Sequence, residues 1–177
     1  KAQAVRMNKL VTEISEAAIV DNDLVMQKRE RFDFAHTISE IFKHYEDSNQ
    51  CTGLKFVQNI EPNVMITGLQ ERWGQVIVNL LDNAVSFAQP EGIIRVTLNQ
   101  HVKKGISFVV EDSGPGVPEE MTEQIFERFF SSRSGVALQK NASGLGLALV
   151  KQIVEAHEGN ILVERSSLGG ARFVILL

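Results

Sequence analysis

Asp112 with Gly114 and Gly116, Asn79 with Asn83, and Ser143 with Gly144 and Gly146 have the residue types and the order of one nucleotide site assembled from three separate segments. An ionised carboxylate accepts hydrogen bonds. Placed where a strand runs into a loop, Asp112 can take the exocyclic amine of adenine, whereas guanine presents a carbonyl oxygen at that edge and would be repelled and left unpaired. Gly114 and Gly116 let the backbone come close to a flat base. Read alone, Asp112-Ser113-Gly114-Pro115-Gly116 is also an ordinary β-turn composition.

Asn79 and Asn83 lie four apart, on one face of a helix beside its apolar stripe. Magnesium takes oxygen ligands and keeps waters while it bridges phosphates, so one amide oxygen is a fitting protein share and Asn83 is the candidate metal ligand. On this helix alone, two solvated asparagines are the competing view. Ser143 can cap the last helix, and Gly144 and Gly146 around Leu145 and Leu147 keep its first turn bare, so that amide donors at the positive end of the helix dipole face phosphates. The leucines are expected in the core. Between Glu127 and Ala142 apolar periodicity is lost, as in a mobile lid or a solvated loop. Arg128, Arg133 and Lys140 are its candidate phosphate contacts, Arg133 preferred for its planar fork of donors.

The elements that must hold these residues follow from periodicity. Met7, Leu10, Ile14, Ala17 and Leu24 follow a heptad seam interrupted by Asp21, which predicts an N-terminal helix that packs on another helix or lies on a surface. A short strand at Phe32 to Phe34 and a helix from Ala35 to Asn49 come next. Leu54 to Ile60 and Val64 to Thr67, joined through Glu61-Pro62-Asn63, read as a hairpin. Gln70 to Phe87 is a long helix with Trp73, Val76, Ile77, Leu80, Leu81 and Ala84 inward. Gly92 to Gln100 and Ile106 to Glu111 form a second hairpin, Pro118 starts a short helix, and Ser143 to His157 is the last one. Asn160 to Arg165 and Arg172 to Leu177 close the chain around Gly169-Gly170. Hairpins mixed with long helices predict an α+β fold: a two-layer α/β sandwich with a mixed, mostly antiparallel sheet and helices on one face.

With 44% hydrophobic and 23% charged residues, the 177-residue chain has material for one core of ordinary size and an appendage. A net charge of −4 without a Lys/Arg cluster argues against a nucleic-acid partner. Cys51 is the single cysteine, which excludes an internal disulfide and a paired-cysteine metal site and fits a reducing, cytoplasmic setting. Apolar runs fall well short of the roughly 18 residues of a membrane span. Starting at Lys1 in an apparent mid-helix pattern, the sequence reads as a soluble piece of something longer.

The blocks Asn79-Leu80-Leu81-Asp82-Asn83-Ala84, Asp112-Ser113-Gly114-Pro115-Gly116, Ile125-Phe126-Glu127-Arg128-Phe129-Phe130 and Gly144-Leu145-Gly146-Leu147 resemble the N, G1, F and G2 boxes of sensor histidine kinases. The resemblance spans Arg31 to Leu177 and implies a Bergerat-type ATP fold. It also implies Asn83 on Mg2+, Asp112 on adenine, Phe87 beside the base, and Asn79, Asn83 and Arg133 at the reacting end. Residues 1–30 resemble the end of a second dimerisation helix and its linker. The activity implied is transfer of the ATP γ-phosphoryl to a histidine on a dimerisation helix outside this sequence, for relay to a response regulator. The parent would be a homodimer anchored in the inner membrane, with this domain in the cytoplasm. Three positions depart from the pattern: Ser86 replaces a Lys or Arg that touches phosphate, Ala142 replaces the first glycine of the G2 box, and Arg133 stands where many relatives carry Lys. His36, His44 and His157 lie outside the family's acceptor motif and read as surface or packing residues.

Other functions on the same fold are weighed by single residues. Related enzymes that hydrolyse ATP use a Glu where Asn79 stands, and an amide is a poor general base near neutral pH. An anti-sigma-type serine kinase shares the boxes without needing the heptad helix. A non-catalytic interaction module with weakened ATP binding is the third alternative, with Ser86 as its support.

Overall fold

A computed structural model describes residues 27–48, 53–103, 105–130 and 144–177. The expected N-terminal helix, Arg133, Lys140, Ala142 and Ser143 lie outside the described residues.

Strand β1 (Glu30–Asp33) ends at a residue that also caps a helix: the Asp33 carboxylate accepts from His36 N at 2.9 Å, and α1 (Phe34–Glu46) starts at once. Phe34, expected to finish the strand, is therefore the first helical residue. Lys43 in the last turn complements the negative end of the dipole. After β2 (Lys55–Ile60) and β3 (Met65–Gly68), helix α2 (Gln70–Phe87) has the bounds its apolar stripe predicts. Strands β4 (Ile93–His101) and β5 (Gly105–Asp112) form the expected hairpin, and a 3-10 turn at Glu119–Met121 takes the place of the short helix after Pro118. Helix α3 (Gly146–Ala156), β6 (Asn160–Arg165) and β7 (Ala171–Leu176) complete the chain.

The main sheet runs β2-β4-β5-β7-β6, antiparallel except for the parallel β2–β4 pair; β1 and β3 form a separate antiparallel pair. This corrects the hairpin expected from Leu54 to Thr67. The turn signal itself holds, since Asn63 adopts φ +61. The chain leaves the turn toward β1, however, and Phe34 N donates to Val64 O at 2.9 Å. Glu61 binds the end of β4 instead, its Oε2 accepting from Gln100 N at 2.7 Å and its own N–H donating to Leu98 O at 3.0 Å. Turn chemistry fixes the local reversal of direction; which strand is captured is decided by long-range packing, such as Phe56 on Phe42 at 5.5 Å.

Alternate residues of the central strands, Ile94, Val96, Leu98, Phe108, Val110, Phe173 and Ile175, join the helices in one core, with Trp73 of α2 meeting Phe34 at 5.2 Å and Phe34 meeting Phe108 at 5.4 Å. The other face of the sheet carries Arg95, Thr97, Asn99, Ser107, Glu111 and Arg172. The three α-helices among the described residues thus belong to one face, which leaves the strand ends and helix ends to build the site.

Candidate nucleotide site

Asp112 is the last residue of β5 and is only 2% exposed. Its Oδ1 accepts from Gly114 N at 2.8 Å and from Ala171 N at 3.2 Å. Burial raises its pKa above the ordinary 3.8, against the opposing pull of those two N–H groups. Both bonds converge on one oxygen, so Oδ2 is the oxygen a ligand's amine would use. The loop after it is fastened to β4: Ser113 Oγ accepts from Ile93 N at 2.8 Å, and Ser113 N donates to Ile93 O at 3.1 Å. Phe87 closes α2 against the same loop, its carbonyl filling the space a side chain at Gly114 would need. Phe87, distant in sequence from Asp112 and Gly114, is therefore their neighbour.

Sequence reasoning overlooked the wall behind Asp112. The β6–β7 turn packs directly on it, Gly170 N donating to Asp112 O at 3.2 Å, and a Cβ at Gly170 would collide with the carboxylate. The Gly169-Gly170 pair was visible as a turn, but nothing in the sequence says which loop that turn meets. Glu111, buried on the open face of the sheet, was overlooked too: its Oε1 accepts from Ser166 Oγ at 2.9 Å, and Arg95 and Arg172 lie 3.6 and 3.8 Å away. A charged residue inside an alternating strand was the signal that could have marked it.

At the other end of the site α3 begins at Gly146, after Gly144 at φ +73, with no side-chain cap on its first turn. Its leading amides are the donors that suit phosphates. Leu145 is buried and Leu147 half-buried against the core, as expected, so a ligand would meet those two positions through their backbone. Asn79 faces this helix start. Its Nδ2 donates to Gln75 O at 3.0 Å, and its Oδ1 lies 2.9 Å from where a Cβ on Gly146 would be. Asn83, half-buried, is one turn further along α2. Among the described residues no group of three or more His, Cys, Asp or Glu could cage a metal. The donor set fits a magnesium ion that shares one amide oxygen and is held mainly by phosphates and water. The F-box segment reaches the same place: Phe126 is buried against Phe173, and Phe129 N donates to Gly144 O at 3.0 Å. Arg128 Nη2 points to Gln152 Oε1 of α3 at 3.4 Å.

Residues 68–177 match the family described as histidine kinase-, DNA gyrase B-, and HSP90-like ATPase. This chain belongs to that family. Within it, the chain is a histidine kinase ATPase catalytic domain. It is 34% identical to the sensor protein ChvG of Rhizobium meliloti (strain 1021) over 97% of this chain and 32% of that protein. Among solved structures, a mycobacterial sensor histidine kinase, MprB, superposes with a TM-score of 0.72 at 30% identity, covering 84% of this chain and 96% of that one. The catalytic domain of the histidine kinase ThkA gives 0.72 at 26%, covering 84% and 94%. The chain spans about a third of the length of curated relatives such as ChvG. In this histidine kinase domain His157, read above as a packing residue, sits at the end of α3, where its Nε2 accepts from Leu69 N at 3.2 Å and its ring lies 5.3 Å from Trp73.

Proposed function

We propose that residues 31–177 bind Mg-ATP with adenine on Asp112 and phosphates at the start of α3, and that residues 1–30 are the end of a dimerisation helix and its linker. The observation that carries this is the buried Asp112 carboxylate, held by two backbone donors on one oxygen and walled by Gly170 and Phe87. Phe87 flanks the base. Gly114 and Gly116 shape the loop beside it, and Ser143, Gly144, Leu145, Gly146 and Leu147 meet the phosphates, with Arg133 on the γ-phosphoryl. Asn79 orients the groups around Asn83. Bound through Asn83, Mg2+ would neutralise phosphate charge and fix phosphate geometry. Phosphoryl transfer asks the protein mainly for positioning and charge stabilisation, which is what these residues offer.

The acceptor is a histidine on a dimerisation helix of the parent protein, a homodimer anchored in the inner membrane, and the phosphoryl passes on to a response regulator. ThkA, a relative of this domain, has been solved in complex with the response regulator protein TrrA. Asn79 in place of a general base supports transfer over hydrolysis.

Calorimetric titration with ATP, with and without magnesium, beside GTP and Asp112→Asn, tests the reading. Magnesium-dependent ATP binding that GTP does not reproduce and Asp112→Asn removes is the expected result. Absence of binding at millimolar ATP, as in a non-catalytic module, would overturn it.

A further inference from the structure

The β6–β7 hairpin grips the Asp112 loop at both of its ends. Near Asp112 the grip is made by Gly170 N and Ala171 N. At the far end it is made by a side chain: Arg165, the last residue of β6, donates from Nη1 to Pro115 O at 2.7 Å, across fifty positions of sequence. The guanidinium lies directly over Gly116, where a Cβ would stand 2.6 Å from Nη1 and 3.1 Å from Gly170 O. Gly116 also adopts φ +79, so it is bare for two reasons, its own conformation and the arginine that crosses it.

We propose that Arg165 is a positioning residue for base recognition, a strap that ties the Asp112–Gly116 loop to the β6–β7 hairpin and so fixes the slot in which adenine meets Asp112. The inference rests on the nucleotide reading of that loop. Pro115 is flanked by Gly114 and Gly116, whose backbones resist little, so the loop depends on outside contacts to hold its shape. With the strap gone, the loop must be ordered by the ligand, and that entropy is subtracted from affinity. Arg165 reaches a backbone carbonyl of the loop that carries Asp112, so its loss falls on binding and base selectivity.

The test is titration of this chain with ATP and with GTP in wild type, Arg165→Ala, Arg165→Lys and Asp112→Asn, with an unfolding transition recorded for each. Arg165→Ala is expected to weaken ATP about three- to tenfold, the size of one exposed hydrogen bond. The ATP-over-GTP preference should narrow, the unfolding midpoint should stay near wild type, and Arg165→Lys, which can still reach Pro115 O, should recover part of the loss. Wild-type ATP affinity in Arg165→Ala, beside lost affinity in Asp112→Asn, overturns the strap and leaves the nucleotide reading standing. Equal weakening of ATP and GTP together with a lowered midpoint overturns it as well, since that is what a merely structural arginine gives. If Asp112→Asn binds ATP like wild type, the nucleotide reading itself fails, and the strap with it.

Discussion

At the residue scale, Asp112 sets function against stability. Its pKa is raised by burial, so the stability it contributes is complete below the ordinary 3.8 and is lost as pH rises through the folded value. At neutral pH the buried charge is therefore a net cost. Asp112→Asn keeps an oxygen for Gly114 N and Ala171 N while removing that charge, and its unfolding midpoint at pH 7 is expected to equal or exceed wild type. ATP affinity should fall at least about tenfold, as an amide presents the wrong group to the adenine amine. Denaturant titration and calorimetry on one preparation would show both effects, and a lowered midpoint would contradict the account. Gly170→Ala should lower the midpoint instead. Its Cβ meets the Asp112 carboxylate and the Gly114 backbone, which cannot rotate away, so a loss of about 1–3 kcal/mol is expected in chemical denaturation.

At the element scale, α3 is fixed at its C-terminal end by His157 and by Arg29, whose Nη2 donates to Ala156 O at 2.6 Å. His157 donates from Nδ1 to Ile153 O at 2.7 Å and accepts at Nε2 from Leu69 N, an arrangement only the neutral ring can make. Burial first, and the Arg29 charge with it, lower its pKa below 6.5, against the Ile153 bond. The sign follows: its stabilisation is complete above pH 6.5 and is lost as pH falls through the lowered folded value. Wild type is expected to lose more stability than His157→Gln between pH 7.5 and 5, and emission from Trp73, the single tryptophan, reports both protonation and unfolding. Parallel pH profiles for the two proteins would exclude His157 as the source. Element types and most bounds were legible in the sequence because each rests on local periodicity: α2 and β6 begin and end where their residue patterns change. The β2–β3 pairing was not, because the Glu61-Pro62-Asn63 turn encodes a reversal without naming a partner.

At the scale of the whole molecule, ATP is expected to bridge α2, the β5 loop and the start of α3, three segments that the fold brings together from separate stretches of chain. Ligand that binds the folded state alone stabilises by mass action, about 2.7 kcal/mol at a hundredfold excess over Kd. Mg-ATP should therefore raise the unfolding midpoint, and a chelator should reverse most of that rise if Asn83 acts through the metal. A chelator-insensitive shift would remove Asn83 from its role. No helix among the described residues is long and apolar enough to cross a membrane.

The chain's own residues determined the chemistry available: a carboxylate followed by bare backbone, two amides one helical turn apart, and a helix that opens on glycines. Those are properties of residue type and short spacing, and both are local. Tertiary structure alone decided that the β6–β7 hairpin is the wall and strap of the Asp112 loop, that Asn79 meets Gly146, and that β2 pairs with β4. Each of these joins residues far apart in sequence, and such contacts are chosen by the packing of the whole core, which no local pattern specifies.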